Sequence, residues 1–188
     1  PVEYHPLATD AATGEAVDLA PFIRDVPSLR DVLRASTRLP VLGGPLIEIE
    51  GRQFLDAGLA ENVPVTTAFA QGATHVLALR TQQPREFRPR PSRLEDRVVR
   101  TWLSRRAPGA LGAWTARHER VLAEERLLAT DPRVRQIAPP ESAPSVGLLS
   151  RTTETLRQAV AIGRAAVDEV LGERTEGGTP PGSGSPRL

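Results

Sequence analysis

Apolar and polar positions along this chain repeat with two different periods, and the switch between them marks out its elements. In "PLIEIEGRQFLDA", Ile47 and Ile49 alternate with Glu48 and Glu50, Gly51 interrupts the run, and "QFLD" resumes it. That pattern predicts a β-hairpin with its turn at Gly51. Upstream, "HPLATDAATGEAVDL" reads as extended chain folded around Thr13-Gly14. A period near 3.6 takes over in "SLRDVLRAST", where Leu29, Val32 and Leu33 share one face. Ser28 as N-cap with Asp31 three residues on predicts where this helix starts; Pro40 and "GGP" at Gly43 to Pro45 predict that it has ended. "VPVTTAFAQG" predicts a short helix opened near Pro64 and closed by Gly72. "THVLALR" is a short apolar run of the kind buried in a parallel sheet.

From Gln82 the character changes. "QQPREFRPRPSRLEDRVVR" begins rich in proline and arginine and becomes helical, with Ser92 and Glu95 forming a second capping box. Leu94, Val98 and Trp102 fall on one face of that helix, and Arg93, Arg97 and Arg100 on another. "LGAWTARHERVLAEERLLA" predicts a further helix packing through Leu111, Trp114, Val121, Leu122 and Leu128, and "VRQIAP" a last strand. A long helix follows, with Leu156, Val160, Gly163, Val167 and Val170 at helical spacing up to Gly172. The tail "ERTEGGTPPGSGSPRL" has the composition of a disordered segment. Strands alternate with helices, so the class is α/β. Only four or five short strands are visible, which is thin for a complete doubly wound sheet.

Composition narrows the chemistry. At 188 residues the chain can build one real core, and 39% hydrophobic with 25% charged residues is ordinary for a globular protein. There is no cysteine, which excludes disulfides and thiolate metal sites. All 24 basic residues are arginine, which excludes a lysine Schiff base and the lysine of a P-loop. His5, His75 and His118 lack metal-ligand spacing, so neither a metal nor another cofactor is expected. A net charge of +1 argues weakly for any polyanionic partner. Aromatic stacking residues are almost absent from the basic stretch, so no nucleic acid is expected. No apolar run approaches the roughly 18 residues of a membrane span, and "PVEYHPLATD" has no leader pattern. The expected location is cytoplasmic or peripheral to a membrane. Methionine is absent even at position 1, so the chain is expected to be a fragment or a processed product.

Four segments, "TDAATGEAV", "LRASTRLP", "GRQFLDAGLAENVPVTTAFAQGATHVLAL" and "LRQAVAIGRAAVDEVL", resemble in this order the C-terminal half of patatin-like phospholipases. The similarity is clearest from Thr9 to Leu79 and weaker over the last helix. The stretch from Gln82 to Ala129 has no counterpart in it. The resemblance implies a patatin-like three-layer α/β/α sandwich, of which this chain is the C-terminal portion only, with an added arginine-rich helical segment. In those terms residues 1–81 are the C-terminal half of the catalytic domain. Residues 82–130 are the added segment, 131–172 the last strand and C-terminal helix of the same domain, and 173–188 a disordered tail.

The family hydrolyses lipid acyl esters with a serine–aspartate dyad, and its aspartate corresponds to Asp56 of "DAG". Its motif is usually Asp-Gly-Gly or Asp-Gly-Ala, so Ala57 is a departure; if the turn needs positive φ, an alanine there would strain or redraw it. The Gly-x-Ser-x-Gly elbow and the glycine-rich oxyanion loop do not occur in the chain, and "PGSGSP" near the end has the wrong spacing. The resemblance thus implies a missing N-terminal half of the same domain that carries the serine, and a phospholipid or other lipid ester as substrate. Half a sheet would leave apolar surface bare, so poor solubility or oligomerisation of the fragment is expected.

The dyad explains why an acid should stand at a strand end. A serine hydroxyl becomes a useful nucleophile when a base within about 2.6–3.2 Å accepts its proton. A free aspartate titrates near about 3.9, and partial burial raises that value. On its own, an Asp-x-Gly after a strand is more often a turn residue bonding its own backbone. Asn62 and Pro64 read as the cap and start of the next helix, Ser36 as a helix-end hydroxyl, and His75 as a core or edge residue. The arginine-rich helix reads first as a solvated face. Its functional alternative is an interfacial helix in which Val98, Val99, Trp102 and Leu103 touch lipid while arginines meet anionic headgroups. A non-enzymatic lipid- or protein-binding remnant of the family is the alternative to a hydrolase.

Overall fold

The computed structural model describes residues 2–83, 91–144, 146–147 and 150–176. The run 84–90, the "PGSGSP" pattern and the tail beyond 176 lie outside them. Helix takes 48% and strand 14%, with the strands in small sheets, so the class is mixed α/β. The chain divides into two compact units, residues 1–76 with 88–133 and residues 77–87 with 134–188. The helices of the 82–130 segment therefore belong with the first unit.

The first unit is built on an antiparallel sheet of four strands, β1 (Leu7–Asp10), β2 (Ala16–Asp18), β3 (Ile47–Ile49) and β4 (Arg52–Leu55), in the order β2-β1-β4-β3. The β3–β4 hairpin forms where the alternation places it. Glu50 and Gly51 supply its two-residue turn with φ of 49° and 76°, the left-handed geometry that a tight hairpin requires. Pairing of Thr9 with Leu55 and Asp10 with Phe54 joins the hairpin to β1.

Strand alternation turns successive residues to opposite faces, and both faces are covered. On one face Phe54, Ala8 and Ile47 pack with Leu19 and with Val32 and Ala35 of α1 (Val26–Ser36). This helix begins before Ser28. Asp25 is the N-cap and accepts the Ser28 N–H, while the Ser28 hydroxyl accepts the Asp25 N–H. The capping box runs in that sense because Pro27 is tolerated in a first turn, so helix can start ahead of it. On the other face Leu55 and Ala11 pack with Leu59 and with Val99, Leu103, Ala107 and Ala110. Those last four come from α3 (Arg93–Arg106), α4 (Ala110–Thr130) and the link between them. Ser92 caps α3, accepting the Glu95 N–H, but the reciprocal bond from the Ser92 N–H to the Glu95 side chain that a capping box needs is not made among the described residues. Fully burying a side chain such as Leu103 contributes about 1.5–3 kcal/mol, which is why α3 and α4 join this unit.

One contact fixes where α4 starts. A Cβ on Gly109 would lie 1.8 Å from the carbonyl oxygen of Ala12, in the β1–β2 turn. Only glycine lets the backbone of that turn come so close. The turn and the beginning of α4 are thereby locked together.

A further short helix, α2 (Val65–Ala70), follows the sheet in the first unit, and the chain turns away from it at Gly72, just past the Gln71 C-cap, with φ of 94°. A two-stranded sheet pairs β5 (Val76–Leu79) with β6 (Val134–Ile137), and from Leu77 on it belongs to the second unit together with α5 (Thr153–Glu176). The bonds Val76 N–H to Arg133 C=O and Arg80 N–H to Ile137 C=O advance together along both strands, as parallel strands do. Ala78 and Ile137 are buried, but Leu77 and Leu79 are 50% and 70% exposed. The strand is therefore not buried on both faces as its apolar run predicts. A two-stranded sheet has too few elements to cover both sides of a parallel pair. The last helix passes through Gly172 to Glu176, so residues 173–176 are helical rather than tail.

Candidate active site

Leu55, fully buried, ends β4, and Asp56 is the next residue. Its backbone is held on both sides. The Asp56 N–H donates to the Arg38 carbonyl at 2.9 Å, and its carbonyl accepts the Thr9 hydroxyl at 2.8 Å. Thr9 is fully buried on β1, and its oxygen also accepts the Ala60 N–H at 3.2 Å. The "TD" of the first strand and the "RLP" after α1 thus meet at the residue that the resemblance singles out.

Asp56 is the N-cap of a 3₁₀ turn, Ala57–Leu59, and its Oδ1 accepts the Gly58 N–H at 2.9 Å. This is the turn-capping role that an Asp-x-Gly plays anywhere. The residue is half-buried rather than enclosed. Ala57 does not require the left-handed region: Val41 and Glu50 are the non-glycine residues with positive φ among those described. The anticipated strain at Ala57 is absent because the chain enters a 3₁₀ turn there. The constraint falls one residue later, where a Cβ on Gly58 would lie 2.9 Å from Asp56 Oδ1. Glycine at 58 leaves room for the carboxylate.

The loop after this turn is gripped by one face of α4, through Arg117, Arg120 and Glu124 at helical spacing. Arg117 Nε donates to the Gly58 carbonyl at 3.3 Å. Arg120 donates to the carbonyls of Leu59 and Ala60, and through Nη2 to Ala113 at 2.7 Å. Glu124 accepts the Asn62 N–H at 3.2 Å and the Val63 N–H at 3.4 Å. Burial pushes the Glu124 carboxyl above its ordinary value, against the opposing pull of the Asn62 and Val63 amides. Three ionisable side chains turned toward the loop are stable here because each finds backbone partners.

These residues were missed in the sequence. Arginine and glutamate on an amphipathic helix read as solvent-facing, and no local pattern announces bonds to a loop about sixty positions away. Asn62 does not cap α2: its backbone N–H goes to Glu124, and Pro64 stands at the N-cap. The acceptor at that helix start is Glu61, buried, which takes the Thr67 N–H at 3.1 Å and the Thr67 hydroxyl. A carboxylate suits a helix N-terminus better than an amide does.

The remaining candidates lie elsewhere. Ser36 is the last residue of α1 and half-buried. His75 is exposed. His5 bonds Asp18 at 2.7 Å and Glu3 at 3.3 Å, and these partners raise its pKa, Asp18 foremost. Among the described residues no group of three or more His, Asp or Glu is placed to hold a metal ion, and no helix is long and apolar enough to cross a membrane.

No family model matches the chain. Over 153 residues it is 29% identical to the uncharacterized protein YjjU of Escherichia coli (strain K12), a match covering 78% of this chain and 42% of that protein. The chain therefore spans less than half the length of the curated relative it matches.

Proposed function

We propose that this chain is the aspartate-bearing part of a patatin-like serine acyl hydrolase acting on phospholipids or related lipid esters. In this reading its strands and helices belong to a patatin-like α/β/α sandwich completed by polypeptide outside these residues. The observation that carries the reading is Asp56 itself. It stands half-buried at the end of β4, its backbone tied to Arg38 and Thr9, with small Ala57 and Gly58 beside it. The order and spacing of the segments around it support the same family.

In this mechanism Asp56 accepts the proton of the serine hydroxyl as the oxygen attacks the ester carbonyl. The tetrahedral intermediate collapses, the ester C–O bond breaks, and the leaving alkoxide takes the proton from Asp56. Water then attacks the acyl-enzyme while Asp56 takes one of its protons. That proton returns to the serine oxygen as the fatty acid leaves. Fixing the acid through its backbone matters because proton transfer needs the carboxylate within hydrogen-bond reach of a hydroxyl carried on another segment. Tethering at Arg38 and Thr9 removes the freedom that would otherwise have to be frozen at each turnover.

The test uses the protein that carries both this chain and the serine. Asp56→Asn is expected to lower hydrolysis of a phospholipid and of a simple aryl ester by roughly 10²–10⁴-fold, with thermal unfolding unchanged. Unaltered turnover in that variant would remove the assignment.

A further inference from the structure

The arginine-rich helix α3 divides its side chains in a way that the sequence pattern alone does not settle. Val99 and Leu103 are buried in the core of the first unit, so the lipid-touching set anticipated from sequence cannot include them. The face turned outward carries Leu94, 73% exposed, and Val98, 45% exposed, at successive helical turns. Trp102 follows one turn on, half-buried and packed at the edge of the core. Arg97, Arg105 and Arg106 border the same side of the helix. Their guanidinium groups make no ion pair or hydrogen bond among the described residues.

The acids of the helix do not neutralise this face. Asp96 accepts the Trp114 indole N–H at 2.9 Å and so is turned toward α4. Glu95 leaves five arginines on the helix opposed by two acids in all. Arg100 bonds Thr115 at 3.0 Å and belongs to the α3–α4 contact. What remains is an apolar ridge flanked by cations that have no partner among the described residues.

We infer that this face of α3 docks on an anionic phospholipid bilayer surface. Leu94 and Val98 enter the headgroup boundary, and Arg97, Arg105 and Arg106 meet lipid phosphates. Charge complementarity selects an anionic surface, and the exposed apolar ridge selects a bilayer over a dissolved polyanion. A nucleic acid would leave Leu94 and Val98 in water and would need exposed aromatic rings to stack on, whereas the aromatic residue here is half-buried. Long arginine stems also allow the charges to reach headgroups while the helix backbone stays at the boundary. The docking does not depend on ester hydrolysis, so it stands or falls separately from the catalytic role of Asp56.

The test is co-sedimentation of the chain with vesicles of ether-linked phosphatidylglycerol or phosphatidylcholine, which contain no acyl ester to cleave. The chain is expected to bind the phosphatidylglycerol vesicles, to bind phosphatidylcholine far less, and to be released as salt is raised. Arg97→Gln/Arg105→Gln/Arg106→Gln should weaken phosphatidylglycerol binding by roughly a hundredfold. Leu94→Ser/Val98→Ser should weaken it by roughly tenfold, with circular dichroism of both variants as in the parent. Failure of the parent chain to bind anionic vesicles, or equal binding to both lipids, overturns the proposal without requiring any variant. Binding that Leu94→Ser/Val98→Ser leaves unchanged and that single-stranded RNA competes away overturns it in favour of a polyanion site.

Discussion

Asp10 closes strand β1, and Asp56 follows the neighbouring strand β4. Asp10 is 3% exposed, and its carboxylate is surrounded by donors. Arg52 reaches it through Nε at 3.0 Å and Nη2 at 2.7 Å, and the amides of Ala12 and Thr13 reach it at 2.7 and 3.1 Å. Arg52 in turn lies over the Phe54 ring, 5.2 Å from its centroid. Asp56 is half-buried, and much of its fixation acts on the backbone, through Arg38 and Thr9. The first acid holds a turn together by spending its charge on a cation. The second is tied through its main chain to Arg38 and Thr9, its Oδ1 accepts the Gly58 N–H, and it stands beside small residues. A structural carboxylate and a candidate base differ less in residue type than in how deeply each is buried and in what surrounds the carboxylate.

The largest expected difference between them is in activity. Replacing Asp56 by Asn should remove hydrolysis by roughly 10²–10⁴-fold, while unfolding in urea stays within about 0.5–1 kcal/mol of the parent, because the amide oxygen can still accept the Gly58 N–H. Asp10→Ala should do the reverse. It strands the amides of Ala12 and Thr13 and unpairs Arg52, at a cost of about 2–3 kcal/mol, while the protein that remains folded keeps its turnover. Equal effects of the two changes on activity would erase the distinction.

Acid titration sharpens it further. Burial would raise the Asp10 carboxyl, but Arg52 and the two amides outweigh burial and hold it below the ordinary 3.8. The unfolded chain then takes up a proton more readily than the folded one. The contribution of Asp10 is therefore present above about pH 4 and is lost as pH falls through its depressed folded value. Glu124 has the opposite sign. Burial raises it above the ordinary 4.5, so its contribution is greatest below that pH and is lost as pH rises through the folded value. Urea unfolding from pH 2.5 to 7 should show Asp10→Asn flattening the acid limb and Glu124→Gln flattening the region above 4.5. An unchanged acid limb in Asp10→Asn would show that Arg52 does not hold the charge.

What could be read in advance follows the range of the interaction. The hairpin at Gly51, the Ser92 cap and the stop at Gly72 are local, and the chain spells them out within a few residues. Asp56 at a strand end is legible too, since β4 is an alternating run. The grip of Arg117, Arg120 and Glu124 on residues 58–63 joins positions about sixty apart and uses backbone atoms, which every sequence has alike. The same holds for Gly109, whose need for glycine appears only once Ala12 is placed against it. The division of α3 into a buried Val99–Leu103 side and an exposed Leu94–Val98 side was open in the sequence, because apolar residues occur on both.

The smallest effect concerns Ala57, where this chain departs from the family pattern. Were the turn dependent on a left-handed residue, restoring glycine would relieve strain and raise both stability and turnover. Ala57 instead begins a 3₁₀ turn without positive φ, and the space the carboxylate needs is provided by Gly58. Glycine at 57 would therefore add freedom to the unfolded chain and relieve nothing in the folded one. Ala57→Gly should cost about 0.4–1 kcal/mol in urea unfolding, and its turnover should stay within a few-fold of the parent. A gain in either measurement would mean that the backbone of the working enzyme passes through a conformation at residue 57 that alanine resists, and that Asp56 is held less firmly than its bonds to Arg38 and Thr9 require.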